Sequence, residues 1–404
     1  MMNFRSTRLI PVAASAGVIL WLAGLTAPPA ASQQKPNLAE DTFKNVQVLK
    51  GISVDDFLGT MGIMSASVGF DCSECHNNAG TDKVDWAADD NPKKVTARRM
   101  VTMVANINRE NFNNRMNVTC WTCHHGRDHP ATTPSMETIY GPGSQEMDDV
   151  LSNMPGQAPA TQILDKYIQA LGGAEKLNTV KSYIASGSSV GFGGFGGGAQ
   201  VRIFAKAPDK RTTHIVFKKE TERPDSIRVY NGKDGWIKTP LSVLNEYRLT
   251  GGELDGARFD AEMGFPGQIK QILTGLRVSL PTTISDLPGP SSQTSQQAGN
   301  EGIGQDRVVN VVQGNGPNGL LVTMYFDQQS GLLLRMVRYS RTPIGRIMTQ
   351  MDFADYRDEG GIKFPHRLLF AWMDGRDAIQ LNQIQLNVPV DEAQFGNPTS
   401  LIGK

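Results

Sequence analysis

The sequence predicts a multidomain chain, a mainly α segment followed by a mainly β antiparallel domain with a short N-terminal helix. Three observations predict it. Apolar residues recur at helical spacing ahead of each of two identical cysteine motifs, a stretch rich in Pro, Gly, Ser and Thr then interrupts the chain, and short alternating runs dominate the rest. At 404 residues the chain suits two domains, each able to bury its own core. Formal net charge is zero, so no global field would draw the chain onto nucleic acid or an acidic membrane, and no nucleic acid is expected as a partner.

Arg5 and Arg8 precede an apolar run from Leu9 to Leu25, and small residues around Ala30, Ala31 and Ser32 offer a cleavage site before Gln33. Residues 1–32 are therefore expected to be a signal peptide and the protein to be exported to the periplasm, with retention as an inner-membrane anchor as the alternative. Ser53 is the expected N-cap of a helix running to about Val68 and closed by Gly69. Val54, Phe57, Leu58, Met61, Met64 and Val68 form one apolar face of it. After a polar loop, Asn91-Pro92 opens a second helix, whose face of Val95, Met100, Met103, Val104 and Ile107 ends near Asn108.

Each helix is followed by a Cys-x-x-Cys-His motif, Cys72-Ser73-Glu74-Cys75-His76 and Cys120-Trp121-Thr122-Cys123-His124, and these use all four cysteines of the chain. The pattern suits covalent haem: two thiols reach the two vinyl groups of one porphyrin, and the adjacent imidazole binds the iron. Two Cys-x-x-Cys pairs can also hold zinc or close disulfides. Zinc, however, does not require a histidine at the same offset after both pairs, and a two-residue disulfide loop staples little of a fold. Two covalently attached haem c groups are thus expected, with His76 and His124 as iron ligands. A methionine as the second axial ligand would make each haem an electron carrier, whereas an open position would permit peroxide or small-gas chemistry. Met61 and Met64 precede the first motif and Met100 and Met103 the second, and spacing alone does not choose within either pair. Arg98 and Arg99 are candidates to pair with haem propionates, while Trp86, Phe112 and Trp121 are candidates to exclude water.

The dihaem segment is assigned to residues 33–134 and a linker to 135–160. The antiparallel β domain is assigned to 161–404. It opens with an amphipathic helix, Thr161 to Leu171, stopped by Gly172-Gly173. Strands are expected at Gln200–Ala205, Thr213–Lys218, Ser226–Tyr230, Arg307–Val312, Leu320–Asp327, Leu332–Tyr339, Ile347–Tyr356 and Lys363–Ala371. Gly187–Gly198 and Pro288–Gly304 are low-complexity loops, and His214 and His366 are isolated.

The stretch from Phe43-Lys44-Asn45-Val46 through Gly126 resembles the cytochrome c subunit of photosynthetic reaction centres. The matching pieces are Phe57-Leu58-Gly59-Thr60-Met61, the first motif with Asn77, Ala97 through Asn108, and Val118-Thr119 with the second motif, His125 and Gly126. By position the resemblance implies Met61 and Met100 as the axial ligands, with Met64 and Met103 as packing neighbours. It also implies electron transfer without substrate chemistry, with redox partner proteins that include a membrane-bound complex or reaction centre. This chain departs from the family in carrying one dihaem unit where members carry two in tandem, in lacking a histidine between Asn108 and Thr119, and in having His125 where arginine is usual. In the β domain, Lys206-Ala207-Pro208-Asp209-Lys210, Asn231-Gly232-Lys233-Asp234-Gly235-Trp236 and Phe326-Asp327 ahead of Ser330-Gly331-Leu332 resemble periplasmic lipoprotein-carrier domains. That likeness implies an unclosed, half-barrel-like sheet with a helix over its open side and an apolar groove for a ligand. The alternatives to an electron carrier are a haem enzyme with one open iron and a lipid- or lipoprotein-binding module with a redox-sensing haem domain.

Overall fold

The computed structural model describes residues 36–134, 136, 152–189, 198–217, 224–239, 243–287, 304–373 and 375–400. The expected signal peptide, the linker up to residue 151 and most of both low-complexity stretches lie outside the described residues. Pro36–Lys404 forms one compact unit, so the helical and β segments pack against each other although their sequence styles differ.

The helices are α1 (Ala39–Thr42), α2 (Val54–Val68), α3 (Pro92–Asn111), α4 (Cys120–His124), α5 (Ala160–Ala170), α6 (Ala174–Leu177), α7 (Gly251–Glu262) and α8 (Ile269–Ile272). The strands are β1 (Ser182–Ser189), β2 (Ala199–Lys206), β3 (Lys210–Phe217), β4 (Ser226–Asn231), β5 (Gly235–Lys238), β6 (Glu246–Arg248), β7 (Thr274–Val278), β8 (Thr282–Ser285), β9 (Asp306–Asn315), β10 (Leu321–Asp327), β11 (Leu333–Thr342), β12 (Gly345–Asp358), β13 (Lys363–Trp372) and β14 (Gly375–Leu386).

The start and stop signals act as expected. The Ser53 hydroxyl accepts from the Asp56 N–H at 3.1 Å, and Gly69 closes α2 with φ of 70°. The Asn91 side chain accepts from the Lys93 N–H with Pro92 at the first helical position, and α3 continues one turn beyond Asn108. The strands form one antiparallel sheet in the order β6-β5-β4-β3-β2-β1-β14-β13-β12-β11-β10-β9-β7, with β8 also pairing β9. The order is an open path, so the sheet is unclosed, as the sequence predicts. Strands β1, β5 to β8 and β14 were not among those expected. Strand β1 reads Ser-Tyr-Ile-Ala-Ser-Gly-Ser-Ser, too polar to signal a strand, and it forms because β2 and β14 pair with its two edges.

Alternation puts Ala199, Val201, Ile203 and Ala205 of β2 on one face, where they join Val322, Met324, Phe326 and Met336 in the main core. Ile163, Leu164, Tyr167 and Ile168 of α5 and Phe259 of α7 cover this face. The apolar groove expected here is filled by the chain's own side chains, and this packing does not support a bound apolar molecule.

Helix α7 opens with two glycines and shows no strong sequence signal. Tertiary contacts hold it. Arg338, 1% exposed on β11, donates to Glu253 at 3.2 Å and to Asp260 at 3.4 Å, both carboxylates of α7, and the Ser340 hydroxyl donates to Glu253 at 2.8 Å. Burial opposes ionisation of Glu253, but the guanidiniums of Arg338 and Arg228 outweigh it and hold its carboxyl down to about 2. Ionised Glu253 therefore contributes stability that is present above the ordinary carboxylate range and is lost as pH falls towards 2. Removing Arg338 would take the guanidinium from Asp260 and leave Glu253 with Arg228 and Ser340. Arg338→Ala is expected to cost about 3–5 kcal/mol in a urea titration at neutral pH, and a loss below 1 kcal/mol would show that the network contributes little.

Candidate haem site

Helix α2 carries two faces of different chemistry. Gly59, Gly62 and Ile63 point at the sheet. A Cβ on Gly59 would lie 2.5 Å from Ile347 of β12, and one on Gly62 would lie 2.6 Å from the Trp372 ring of β13. Ile347 is the register partner of Ser340, and Ser340 bonds Glu253 of α7. Directly paired residues share a face, so α2 lies on the same face of the sheet as α7. Phe57, Met61, Met64 and Val68 occupy the other side of α2 and are only partly buried. Phe57 stacks on Phe43 with ring centroids 5.1 Å apart.

The N-terminus of α2 is tied to the β segment. The Thr250 N–H donates to Asp55 Oδ2 at 2.7 Å, and the Ser53 and Thr250 hydroxyls are 2.7 Å apart. Burial, with Glu253 and Asp56 nearby, pushes the Asp55 carboxyl well above its ordinary value, against the opposing pull of the Thr250 N–H and Arg228.

The C-terminus of α2 is tied to the second motif. The Gly126 N–H donates to the Ser67 carbonyl at 2.8 Å, and Gly69 meets the Gly126 carbonyl so closely that a side chain there would collide with it. Cys120 is buried with Ile63 of α2, Val101 of α3 and Ile344 of the turn between β11 and β12. Asn108, buried within α3, sets the approach to this motif. Its Oδ1 accepts from the N–H groups of Asn117 and Val118 at 3.0 and 2.9 Å, and its Nδ2 donates to the Val118 carbonyl at 2.7 Å. Thr119 then caps α4 in a reciprocal capping box with Thr122.

The two histidines differ. His124 Nδ1 lies 2.9 Å from the Arg127 carbonyl, an acceptor only, so Nδ1 carries the proton and the Nε2 lone pair is left for a metal. His76 Nδ1 is buried with no partner among the described residues, and the ring sits 5.1 Å from that of Trp86. Burial, with Lys94 and Arg98 nearby, lowers its pKa from 6.5 and favours the neutral imidazole that a metal requires. Burial also raises the thiols of Cys75 and Cys120, while Cys123 is exposed. Cys72 begins a 3₁₀ turn capped by Asp71, whose Oδ1 accepts from the Ser73 N–H at 2.7 Å.

Of the four candidate methionines, Met61, Met64 and Met100 are partly buried and Met103 is 42% exposed. Trp121, inside the second motif, is 48% exposed, so apolar surface lies open there. Arg98 is engaged by Asp89 at 2.8 Å, whereas Arg99 is exposed and reaches only Thr96. His214 and His366 serve the sheet: His214 bonds Asp225 at 2.7 Å, and His366 bonds the Leu381 carbonyl and Glu359. Among the described residues, no group of three or more His, Cys, Asp and Glu side chains is placed to hold a metal ion.

Residues 22–166 match the family model described as photosynthetic reaction centre cytochrome C subunit. The N-terminal part of this chain is similar to that family. A photosynthetic reaction center cytochrome c subunit from Roseobacter denitrificans is 34% identical over 116 residues, covering 26% of this chain and 31% of that one. The corresponding subunit from Thermochromatium tepidum is 38% identical over 106 residues, 25% of each chain, and cytochrome c-554 from Chloroflexus aurantiacus is 35% identical over 114 residues, 27% of this chain and 25% of that one. The chain thus spans about a third or less of the length of these curated relatives. Among solved structures, a LolA superfamily protein from Nitrosomonas europaea is 13% identical with a TM-score of 0.37, covering 60% of this chain and 100% of that one. An outer membrane lipoprotein-sorting protein domain from Vibrio parahaemolyticus is 11% identical with a TM-score of 0.34, covering 59% and 99%.

The sequence reading missed Gly59, Gly62 and Asn108 as structural determinants of the site. A helical Gly-x-x-Gly on the side opposite the apolar stripe was the available signal for the first two. Asn108→Ala removes three partly buried hydrogen bonds to the backbone of Asn117 and Val118, and the expected cost is about 1–3 kcal/mol. Hydrogen exchange should show the loss of protection concentrated in residues 113–119, and uniform loosening of the whole chain would contradict this local role.

Proposed function

We propose that the protein is an exported dihaem c-type cytochrome that carries electrons and has no substrate chemistry of its own. The carrying observation is that each Cys-x-x-Cys-His motif follows a helix with methionines on its partly open side, in a segment similar to reaction centre cytochromes. The residues fit haem c. The donor set offers two thiols and an imidazole on each motif, His124 has its Nε2 free, His76 has an orphaned ring nitrogen and a preference for the neutral form, and apolar surface stands open where a porphyrin would need cover.

Cys72 and Cys75 would hold the first haem with His76 and Met61 as axial ligands, and Cys120 and Cys123 the second with His124 and Met100. Bound haem supplies a one-electron couple. The protein residues orient it: the Arg127 carbonyl fixes the His124 tautomer, and Trp86 packs on the His76 ring. The chain divides into a signal peptide at 1–32, a dihaem segment at 33–134, a linker at 135–160 and a β segment at 161–404. Its site of action is the periplasm, and its partners are redox proteins, a membrane-bound complex among them. No helix among the described residues is long and apolar enough to cross a membrane.

A reduced pyridine haemochrome assay on the purified protein should give two covalent haems per chain. Cys72→Ala/Cys75→Ala and Cys120→Ala/Cys123→Ala should each leave one. Met61→Ala and Met100→Ala should each abolish one methionine-to-iron absorption band. An unaltered band in either variant would reject that ligand, and one haem or none in the parent would reject the cytochrome reading.

A further inference from the structure

The glycine face of α2 gives the β segment a role that neither the haem motifs nor the family likeness assigns to it. We infer that the sheet surface of Ile347 and Trp372, with Thr250, is a positioning platform for α2 and through it for the axial methionine of the first haem. The inference rests on the reading of Met61 as that ligand.

Four independent contacts carry it. The Thr250 N–H holds Asp55 at 2.7 Å, which fixes the first turn of α2. Buried Ile347 fills the space where Gly59 lacks a side chain, and the Trp372 ring does the same at Gly62. Ile63 packs on Gly345, where an added Cβ would lie 3.1 Å away, and on buried Ile344 in the turn between β11 and β12. Met61 sits between Gly59 and Gly62 in sequence but on the other side of the helix, partly exposed. A rigid helix converts any change of its seat into a displacement of the opposite side. Moving α2 away from Trp372 therefore moves Met61 with it. Neither Ile347 nor Trp372 is in the dihaem segment, so both are positioning residues rather than ligands.

Alanine is a better helix former than glycine by about 1 kcal/mol, so Gly62→Ala should stabilise α2 unless contact with Trp372 decides the outcome. The test uses full-length holoprotein in the Met100→Ala background, where only the first haem retains its methionine band. Gly62→Ala is expected to lose or weaken that band and shift the first haem's potential with both haems still attached. Gly62→Ala/Trp372→Leu is expected to recover at least half of the loss, because the smaller side chain makes room for the new methyl. Retention of the band and potential in Gly62→Ala would overturn the inference, as would a double variant no better than the single one. If Gly62→Ala does not fold, Trp372→Leu alone decides. A shifted first-haem potential, restored by Trp372→Phe, supports the platform, and an unshifted one rejects it. Met61→Ala in the same background separates the two claims: a surviving band there defeats the ligand assignment, whereas its loss with a null result at Gly62 and Trp372 defeats only the platform.

Discussion

The close approach of α2 to the sheet is the contact on which the rest of the arrangement depends. Two glycines on one side of the helix remove the side chains that would hold it off Ile347 and Trp372. Its first turn is then anchored by Thr250 and its last by Gly126. The same helix therefore touches the sheet, the loop after the second motif and, through Ile63, the buried cluster that includes Cys120. A helix with one apolar stripe could serve one of these neighbours. The glycine face supplies the second interface and leaves Met61 on the other side, only partly buried.

Burial of charge is the other constraint at this junction. Arg338, Glu253, Asp260 and Arg228 compensate one another between α7, β4 and β11, with Asp55 of α2 at their edge. Glu253 is held ionised by two guanidiniums, whereas Asp55 has the Thr250 N–H but mostly like-charged neighbours. Replacing buried ionic groups by apolar ones often costs nothing, whereas removing one partner costs much, so such a network specifies which surfaces meet more than it adds net stability.

Much of this was legible in the chain. Ser53, Gly69, Asn91-Pro92 and Gly172-Gly173 are local signals whose energies do not depend on the rest of the fold, and the structure places helix ends at each. The strands expected at β2 and β4 alternate strongly enough to be read alone. Strand β1 and helix α7 were not legible because their local preferences run the other way and distant partners decide them. The haem motifs were legible because covalent attachment demands a fixed spacing. The seat of α2 was not, because Gly59 and Gly62 acquire meaning only when Ile347 and Trp372 arrive from far along the chain.

That distance has a consequence for assembly. Strand β1 pairs β14, and Asp55 meets Thr250 across 195 residues, so the surface that receives α2 cannot exist until most of the chain is available. Contacts of such separation form late. Until then α2 lacks its seat on the sheet, although its tie to Gly126 lies within its own stretch of chain. The order of synthesis thus makes the helix first and its seat last, so α2 is placed only when the far end of the chain has arrived.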